Sequence, residues 1–341
     1  MTGERLHQGE LEALARAVLQ GCGVPEGPAA DCAQVLAMAD MMRLHTHGLS
    51  RLLSYGARLK SGGIDPQAEF AVEALAPAIR RIRGNNGLGP ALGMLGLREA
   101  MAAAREAGIG MALVAGSNHF GPIAPYAWLA AQEGFASLIA SNASTTIAPS
   151  GGSDARLGNN PMGFGFPNPD GDPIILDMAM SVAARAKIRD AARAGKPIPE
   201  GWATDAGGRP TTDPNAALKG FLLPLGGYKG YGLSLCVDML TGLLSGAAYL
   251  THVKSWVDEP EAAQNLGHAF VLIDTARLMP RADLATRMGD FADILHASPP
   301  VDPDHPVMVP GEREMRHFHA ARANGVALPE DLLATLRQMA G

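Results

Sequence analysis

The spacing of apolar residues predicts that the chain begins with helices. Within residues 8–22, apolar residues recur every three to four positions, which places them on one face of a helix. The same spacing predicts a second helix from Pro28 to about Leu44 and a third over Ser50–Ser61. We therefore expect an N-terminal helical region over residues 1–75.

After residue 75, short apolar runs alternate with longer helical stretches. We expect strands at Ala78–Arg83, Gly110–Ala115, Ala136–Ser141, Ile174–Asp177 and Ala269–Asp274. Helical spacing covers Leu92–Ala107, Gly121–Gly134, Ser181–Ala194, Gly230–Leu244 and Met279–Leu295. The order strand, helix, strand within residues 110–141 is typical of a βαβ unit, so the pattern predicts an α/β core with a mixed sheet.

Two segments rich in Gly, Asn and Pro show neither the helical spacing of apolar residues nor the apolar run of a buried strand. Ala148–Pro169 is flanked by predicted buried strands and is expected to be an ordered loop that lines a site, while residues 195–220 are mostly loop. Helical spacing returns near the C-terminus. We expect the α/β core to span residues 76–308 and a helical tail, residues 309–341, to pack back on it.

Composition and charge narrow the class of protein. The chain has 341 residues, of which 47% are hydrophobic and 18% charged, enough for a sizeable core. The formal net charge of −6 is spread over interspersed acidic and basic residues, so there is no electrostatic reason to bind nucleic acid or an anionic membrane. We expect a small-molecule substrate rather than either of these partners.

Cysteine usage and the length of the apolar runs indicate a cytoplasmic protein. Cys22, Cys32 and Cys236 form no CxxC pair, and their odd number argues against a disulfide framework. The N-terminus lacks the apolar segment of a signal peptide, and runs such as Gly108–Ala115 are too short to span a bilayer.

A first candidate site is the segment His45–Arg51, which reads HTHGLSR. Histidine transfers protons near neutral pH, and the arginine fork binds a carboxylate through two nitrogens at once. If a helix begins at Leu49, His47 and Arg51 lie four positions apart and share one of its faces. A histidine at a helix end and a surface arginine form the simpler interpretation of this motif alone.

A second candidate is GSNHFG at residues 116–121, directly after a predicted strand. His119 would lie at the carboxyl end of that strand, where α/β folds place ligand-binding groups. The helix expected from Gly121 and Pro122 would offer free backbone N–H groups to a phosphate. A histidine buried in a tight turn is the alternative.

Three further segments carry polar groups near predicted element ends. Asn159 and Asn160 lie in a glycine-rich stretch that allows close approach of a ligand. Asp177 ends a strand and can accept a hydrogen bond from a ribose or cap a helix, and Lys229 can meet a phosphate at a helix start. There is no Walker motif and no GxSxG elbow, and the nearest dinucleotide fingerprint, Gly87–Gly93, is one residue too long.

Six segments together resemble the malate/L-lactate dehydrogenase family of NAD(P)-dependent oxidoreductases. They occur in order along nearly the whole chain: HTHGLSR at 45–51, GSNHFG at 116–121, GNNPMGF at 158–164, ILDMA at 175–179, GGYKGYGL at 226–233 and VPGE at 309–312. The resemblance implies that family's non-Rossmann α/β fold, in which helices surround a mixed sheet next to an N-terminal helical region. The family includes ureidoglycolate, sulfolactate and diketogulonate enzymes and the cyclic-imine carboxylate reductases.

The resemblance also implies residue roles at the substrate. His47, with the hydroxyl of Thr46 beside it, would donate or accept a proton, and Arg51 would bind the substrate carboxylate. His119 carries the proton in some members of the family and contacts the cofactor in others, so the choice between the two histidines stays open. The Asn159–Asn160 pair would lie near the substrate and the nicotinamide.

The cofactor that the resemblance implies is NAD or NADP, with no metal ion. The residues that would contact this cofactor are His119, Phe120, Gly121, Pro122, Ile123, Asp177, Met178, Ala179, Lys229, Gly311, Glu312 and Arg313. Members of the family form intertwined dimers, so the resemblance further implies a homodimer.

Three positions depart from the family's pattern. Thr46 replaces the usual serine and keeps its hydroxyl, whereas Met180 replaces a residue whose hydroxyl lies close to the cofactor. Lys187 stands where the cyclic-imine reductases carry an acidic residue. This last difference argues against a Ser-His-Asp relay and favours a hydroxy acid as substrate.

We therefore expect hydride transfer between nicotinamide and C2 of a small 2-hydroxy or 2-oxo acid, as in malate or lactate. A cyclic ketimine reductase acting on pyrroline- or piperideine-2-carboxylate, or a diketo-acid reductase, is the alternative within the family. A metal-dependent hydrolase or lyase using His45, His47 and His119 is the alternative from another class, although the sequence offers no further ligand beside them. Met180 also leaves open a member that binds the cofactor without turnover.

Overall fold

A computed structural model describes residues 4–341. Its strands are β1 (Arg5–Leu6), β2 (Ala71–Ala76), β3 (Ile79–Arg83), β4 (Ile109–Ser117), β5 (Phe135–Ser141), β6 (Thr145–Ile147), β7 (Leu157–Gly158), β8 (Met162–Phe166), β9 (Ile174–Met178), β10 (Ala203–Thr204), β11 (Pro210–Thr211), β12 (Leu266–Asp274) and β13 (Val326–Ala327). Its α-helices are α1 (Gln8–Gly21), α2 (Glu26–Met41), α3 (Arg51–Ser61), α4 (Gly89–Ala107), α5 (Ala124–Gln132), α6 (Arg185–Arg193), α7 (Pro214–Ala217), α8 (Tyr228–Asp238), α9 (Arg281–His296), α10 (Glu312–Asn324) and α11 (Glu330–Ala340). Short 3₁₀ turns lie at His45–His47, Leu250–His252 and Thr275–Arg277, and a π-helical turn at Met239–Leu243 continues α8.

Seven strands form one mixed sheet in the order β2-β3-β4-β12-β5-β8-β9. β3 pairs with β4 in parallel, and the other neighbouring pairs are antiparallel. The prediction of an α/β fold with a mixed sheet is confirmed. The unit β4-α5-β5 has the predicted order, but β12 lies between its two strands and pairs with both of them.

The helices cover the sheet and join the N-terminal region to it. α4 packs on β4 and β12, α5 packs on β5 and β8, and α2 lies across both helices. One hydrophobic cluster runs from Leu11 through Phe270 to Leu336, so the N-terminal helices share the core of the sheet. No helix within residues 4–341 combines the length and the apolar character needed to cross a membrane.

The C-terminal tail packs on the first two helices. α10 contacts α2, α11 contacts α1, and β13 pairs with β1. The division of the chain at residues 75 and 308 stays a prediction; strand β2 spans the first of these boundaries and belongs to the main sheet. β2 was absent from the predicted strands because this edge strand is almost wholly exposed and has no buried face to give it a period.

The sequence predicted a loop over Ala148–Pro169, and this is wrong for part of the segment. Met162–Phe166 forms β8, which pairs with β5 and β9. A Cβ at Gly163 would collide with the carbonyl oxygen of Leu176 in β9 and with Ile123, the residue before α5. A Cβ at Gly165 would be too close to Ser137 in β5 and to Ala127 in α5. Glycine weakens the sequence signal of a strand, yet here it allows the helix to lie close to the sheet.

Candidate active site

A cavity of about 730 Å³ opens where the N-terminal region, one end of the sheet and the tail meet. Its wall includes the turn before α3, the loop between β4 and α5, the end of β9, the start of α6 and the start of α10. Of the residues predicted from the sequence, the wall contains Thr46, His47, Arg51, His119, Phe120, Gly121, Pro122, Ile123, Asn159, Asp177, Ala179 and Gly311. Segments far apart in the sequence therefore converge on one site.

The two candidate histidines lie against each other in this cavity. The rings of His47 and His119 are stacked, with centroids 5.5 Å apart. His47 ends the 3₁₀ turn before α3, while His119 follows β4, so two separate elements bring them together. Thr46 Oγ1 lies 2.9 Å from His47 Nδ1, and this contact orients the ring of His47.

Tyr55, on α3, holds the ring of His119. Its hydroxyl oxygen lies 2.8 Å from His119 Nδ1 and 3.2 Å from the carbonyl oxygen of the same residue. Both contacts are satisfied when Nδ1–H donates to the hydroxyl and the hydroxyl donates to the carbonyl, which leaves Nε2 as a proton acceptor. Tyr55 is fully buried and was not predicted from the sequence. Its one signal is its position four residues after Arg51, on the same helix face.

Burial keeps both histidines uncharged in the free protein. Desolvation, with a contribution from the charge of Arg51, lowers the pKa of His47 from 6.5 to about 4. Desolvation also lowers the pKa of His119 well below 6.5, the charge of Arg51 adds to this effect, and a protonated His47 would lower it further. Both imidazoles are therefore neutral at pH 7 and able to accept a proton.

Arg51 is the first residue of α3 and lines the same cavity. Its Nε donates to the carbonyl oxygen of Thr46 at 2.7 Å, which leaves its terminal nitrogens for other partners. Burial lowers the pKa of Arg51, Tyr55 opposes this, and the charge of Arg189 adds to it. No carboxylate of residues 4–341 forms an ion pair with Arg51, so the guanidinium is available to an anionic ligand.

Helix α6 brings further positive charge to this cavity. It begins at Arg185, later than the predicted start at Ser181, and places Arg185, Lys187 and Arg189 in the wall. Arg185 Nη2 donates to the carbonyl oxygen of Leu218, and Lys187 Nζ lies 6.0 Å from the ring centroid of Trp202. The two arginines were missed in the sequence because nothing local marks a surface helix as part of a site.

The two asparagines of the GNNPMG segment have different surroundings. Asn159 lines the cavity, whereas Asn160 is completely buried. Asn160 Oδ1 accepts from the backbone N–H of Ala143 at 3.0 Å, and its Nδ2 donates to the carbonyl oxygen of Ser234 at 2.9 Å. The side chain of Asn160 thus holds neighbouring segments in place and does not reach the cavity.

Asp177, at the end of β9, caps helix α5. Its Oδ2 accepts hydrogen bonds from the backbone N–H groups of Ile123 at 2.8 Å and Ala124 at 2.9 Å. The expectation that this helix start offers free N–H groups to a phosphate is therefore wrong for these two donors. Asp177 Oδ1 has no partner within residues 4–341 and belongs to a residue of the cavity wall, so it can accept a hydrogen bond from a ligand.

Several predicted cofactor contacts lie outside the cavity of the single chain. Met178, Lys229, Glu312 and Arg313 are not part of its wall. Lys229 is exposed in the first turn of α8. Arg313 and Glu312 are engaged elsewhere: Arg313 pairs with Glu314 at 2.8 Å, and Glu312 lies 2.7 Å from His296.

A buried histidine that the sequence did not indicate lies beneath the cavity wall. His268 Nδ1 is 2.8 Å from Ser141 Oγ, and its Nε2 is 2.7 Å from Ser117 Oγ. Its ring stacks on Phe120 with centroids 4.3 Å apart. Burial lowers the pKa of His268 to about 3, so a neutral ring supports the position of Phe120.

His45 has a different partner from the other two histidines. Its Nδ1 lies 2.8 Å from Asp40 Oδ1, and His45 is not part of the cavity wall. Within the described chain, no group of three or more His, Cys, Asp or Glu side chains is arranged to hold a metal ion. The three histidines named for the metal-dependent alternative are thus not brought together.

Known proteins are similar to this chain over nearly its whole length. The model of the malate/L-lactate dehydrogenase family matches residues 6–337. Delta(1)-pyrroline-2-carboxylate reductase of Ancylobacter novellus is 36% identical over 98% of this chain and 97% of its own length. (2R)-3-sulfolactate dehydrogenase (NADP(+)) of Chromohalobacter salexigens is 39% identical over 78% of this chain and 80% of its own. The structure of sulfolactate dehydrogenase from Methanocaldococcus jannaschii superposes with a TM-score of 0.90 at 33% identity and covers 98% of this chain and 96% of that one.

Proposed function

Because the chain belongs to the malate/L-lactate dehydrogenase family, we propose that its substrate is a small 2-oxo or 2-hydroxy acid with a second anionic group. The protein is an NAD(P)-dependent oxidoreductase of this family. Its reaction transfers a hydride between nicotinamide and C2 of the acid, while a proton moves to or from the oxygen on C2. The observation that carries the proposed substrate class is the excess of cationic side chains in one cavity wall.

Arg51 accounts for a first anionic group, the carboxylate next to C2. Arg185 and Arg189 lie one turn apart on α6 and line the same cavity. Burial lowers the pKa of Arg185, and the neighbouring charge of Arg189 adds to this effect. A second carboxylate or a sulfonate would relieve the repulsion among these cations, whereas a cyclic imine with one carboxylate would relieve less of it.

The proton step would use the stacked histidines. In the direction of oxidation a neutral imidazole accepts the hydroxyl proton, in agreement with the lowered pKa of His47 and of His119. In the direction of reduction the same nitrogen returns the proton to the oxygen on C2. Arg51 would hold the carboxylate, so that C2 and its oxygen keep a defined position beside the rings.

We propose that the part of the cavity wall formed by the end of β9 and the loop after β4 contacts the dinucleotide. Asp177 presents Oδ1, and the loop from His119 to Ile123 brings its backbone into the wall. NAD or NADP, when bound, supplies or accepts the hydride. We propose that Asp177 accepts a hydrogen bond from a ribose hydroxyl, while Phe120–Ile123, Ala179 and Gly311 line the remaining surface.

The role of Asp177 leads to a prediction on cofactor affinity. Asp177→Asn should raise the KM for the nicotinamide cofactor by about 10- to 150-fold, because a hydrogen bond to a charged acceptor contributes about 1.5–3 kcal/mol. The KM for the acid should change little. Asp172→Asn is the matched control, because Asp172 precedes β9 and contacts His319 at the surface. Steady-state kinetics with varied cofactor concentration measure this effect. Equal cofactor KM values for the two variants would contradict the role of Asp177 in cofactor binding.

The proposed substrate class is tested with a panel of acids. Oxaloacetate, 3-sulfopyruvate, pyruvate and pyrroline-2-carboxylate would each be offered with NADH and with NADPH, and the nicotinamide absorbance followed. The dianionic acids should give the highest kcat/KM, and the panel also decides between the two cofactors. Highest kcat/KM with pyruvate or with the cyclic imine would show that the substrate class is wrong.

A substitution in α6 also tests the preference for acids with a second anionic group. Arg189→Gln should lower kcat/KM for the dianionic acids by about 10-fold and leave that for pyruvate nearly unchanged, because one charge-assisted contact is lost. Arg193→Gln is the control, because Arg193 lies on the same helix, pairs with Asp190 and is absent from the cavity wall. An equal decrease for both kinds of acid would contradict the role of Arg189.

We further propose that the protein is a cytoplasmic homodimer, as expected from the sequence. Exposed apolar side chains on α8 and the turn that follows support the dimer, among them Tyr228, which is 71% exposed, and Leu244, which is 67% exposed. Burial of this face would also bring Lys229 towards the partner chain. Sedimentation equilibrium should give twice the chain mass of 35.5 kDa, and a monomer would contradict the proposal.

A further inference from the structure

A tryptophan that the sequence did not single out lines the substrate end of the cavity. Trp256 lies on the loop between α8 and β12 and is part of the cavity wall. Its ring centroid is 5.8 Å from that of His119 and 5.9 Å from that of Tyr55. The indole therefore lies beside His119, one of the two candidate proton carriers of the proposed function.

The loop that carries Trp256 is attached to α3 by a buried arginine. Arg58 is 1% exposed, and its Nη1 donates to the carbonyl oxygens of Trp256 at 3.2 Å and Glu259 at 3.3 Å. Its Nη2 donates to the carbonyl oxygens of Ala262 at 2.5 Å and Gly63 at 3.3 Å. The guanidinium also lies over the indole, 4.5 Å from the ring centroid of Trp256.

One face of α3 therefore organises the substrate end of the cavity. Arg51, Tyr55 and Arg58 follow one another at helical spacing. The first lines the cavity as a cation, the second contacts His119, and the third holds the Trp256 loop. A buried cation is unfavourable unless its donors are paired, and the terminal nitrogens of Arg58 obtain most of their hydrogen bonds from carbonyl oxygens of this loop, whereas Nε has no partner. These bonds fix the position of the loop relative to α3.

We propose that Trp256 limits the size of the substrate beyond C2 and that Arg58 is the residue that positions it. This inference rests on the proposed function, because it concerns the acid-binding end of the same cavity. A rigid aromatic wall discriminates by contact, and one additional methylene that does not fit a pocket costs about 10–200-fold in kcat/KM. Trp256 acts as a specificity-determining residue, and Arg58 acts only through it.

Two pairs of acids, each differing by one methylene, test the role of Trp256. They are oxaloacetate with 2-oxoglutarate and pyruvate with 2-oxobutyrate, so that the test does not depend on a preference for a second anion. Trp256→Ala should raise the kcat/KM of the longer acid relative to the shorter by about 10-fold, because space opens beside the indole position. The cofactor KM should not change, and Trp256→Phe should give an intermediate ratio.

A double-mutant cycle tests the role of Arg58. Arg58→Met should shift the same ratio in the direction of Trp256→Ala, and the two changes together should have no larger effect than Trp256→Ala alone. Arg80→Met is the matched control, because Arg80 donates to backbone carbonyls near β3 and is absent from the cavity wall. Arg58→Lys keeps the charge and some of the contacts, so its ratio of kcat/KM for the longer acid to that for the shorter should lie between the wild-type value and that of Arg58→Met. It serves as the positioning test if Arg58→Met does not fold.

The outcomes separate this inference from the proposed function. An unchanged ratio in Trp256→Ala, or strictly additive effects in the cycle, overturns the inference while the reduction of 2-oxo acids by the wild type still stands. A wild-type protein that reduces none of these four acids and does not reduce 3-sulfopyruvate overturns the proposed function and the inference with it.

Discussion

Replacing His119 or His47 by alanine is expected to lower kcat by about 10²–10⁴, since a positioned acid or base contributes a factor of this size. The variant with the larger decrease identifies the main proton carrier, because the two rings are stacked and either can face the oxygen on C2. Binding of the cofactor should persist in both variants. Single-turnover kinetics of hydride transfer, with cofactor titrations alongside, separate the chemical step from binding.

His45→Ala is the matched control for both histidine variants. His45 lies in the same 3₁₀ turn as His47 but contacts Asp40 and is absent from the cavity wall. It should therefore keep most of the wild-type kcat. If His47→Ala and His119→Ala both retain nearly full activity, the assignment of the proton step to this pair is wrong.

The dependence of kcat/KM on pH is a second test of the assignment of the proton step to these histidines. Oxidation requires the neutral imidazole, and the pKa of His47 is lowered to about 4 by burial and by Arg51. The kcat/KM of the hydroxy acid reports the free enzyme and the free acid. After correction for the acid's own titration, and with His47 as the proton carrier, it should stay level between pH 7 and about 5 and decline only as the pH falls through about 4. An acid limb near 6.5, the ordinary histidine value, would contradict the buried environment.

Replacing Arg51 by methionine is expected to lower kcat/KM for the acid by about 10²–10³, because loss of one partner of a desolvated charge pair costs about 2–5 kcal/mol. The terminal nitrogens of Arg51 have no carboxylate partner in the described chain and are free for the substrate. Methionine keeps much of the apolar stem, so α3 should remain intact. Kinetics with varied acid at saturating cofactor give the measurement.

Two further variants define what Arg51 contributes. Arg51→Lys should recover only part of the activity, because an ammonium keeps the charge and loses the planar fork that binds both carboxylate oxygens. Arg98→Met is the control: Arg98 pairs with Asp31 through two hydrogen bonds of 2.8 Å and is absent from the cavity wall. Equal kcat/KM values for Arg51→Met and Arg98→Met would rule out the carboxylate role.

Local pattern was sufficient for most elements of the fold. The helical spacing near residues 8–22 and 92–107 appears as α1 and α4, and the apolar runs near 110–115 and 136–141 appear as β4 and β5. These elements were predictable because one face of each is buried, and burial of one face imposes a period on the sequence. β2, which buries neither face, and β8, which carries two glycines, lacked that period and were missed.

The sequence by itself also determined the family and indicated candidate groups for the site. A proton carrier at His47 or His119, a carboxylate-binding cation at Arg51 and an acceptor at Asp177 are predictions from residue type and from the resemblance that motifs in a fixed order carry. Six short segments carried the family assignment, which the family model over residues 6–337 confirms. Side-chain chemistry is a local property, so it can be read one segment at a time.

Only the tertiary structure decided how these groups meet. In the folded chain β12 lies between β4 and β5, and the hydroxyl of Tyr55 contacts His119. The side chain of Asn160 lies in the interior, and one carboxylate oxygen of Asp177 caps α5. The tertiary structure also brings the arginines of α6 and Trp256 into the cavity that holds Arg51. Each of these contacts joins residues far apart in the sequence. Their partners are chosen by packing and hydrogen bonding between whole elements, and no local period records that choice.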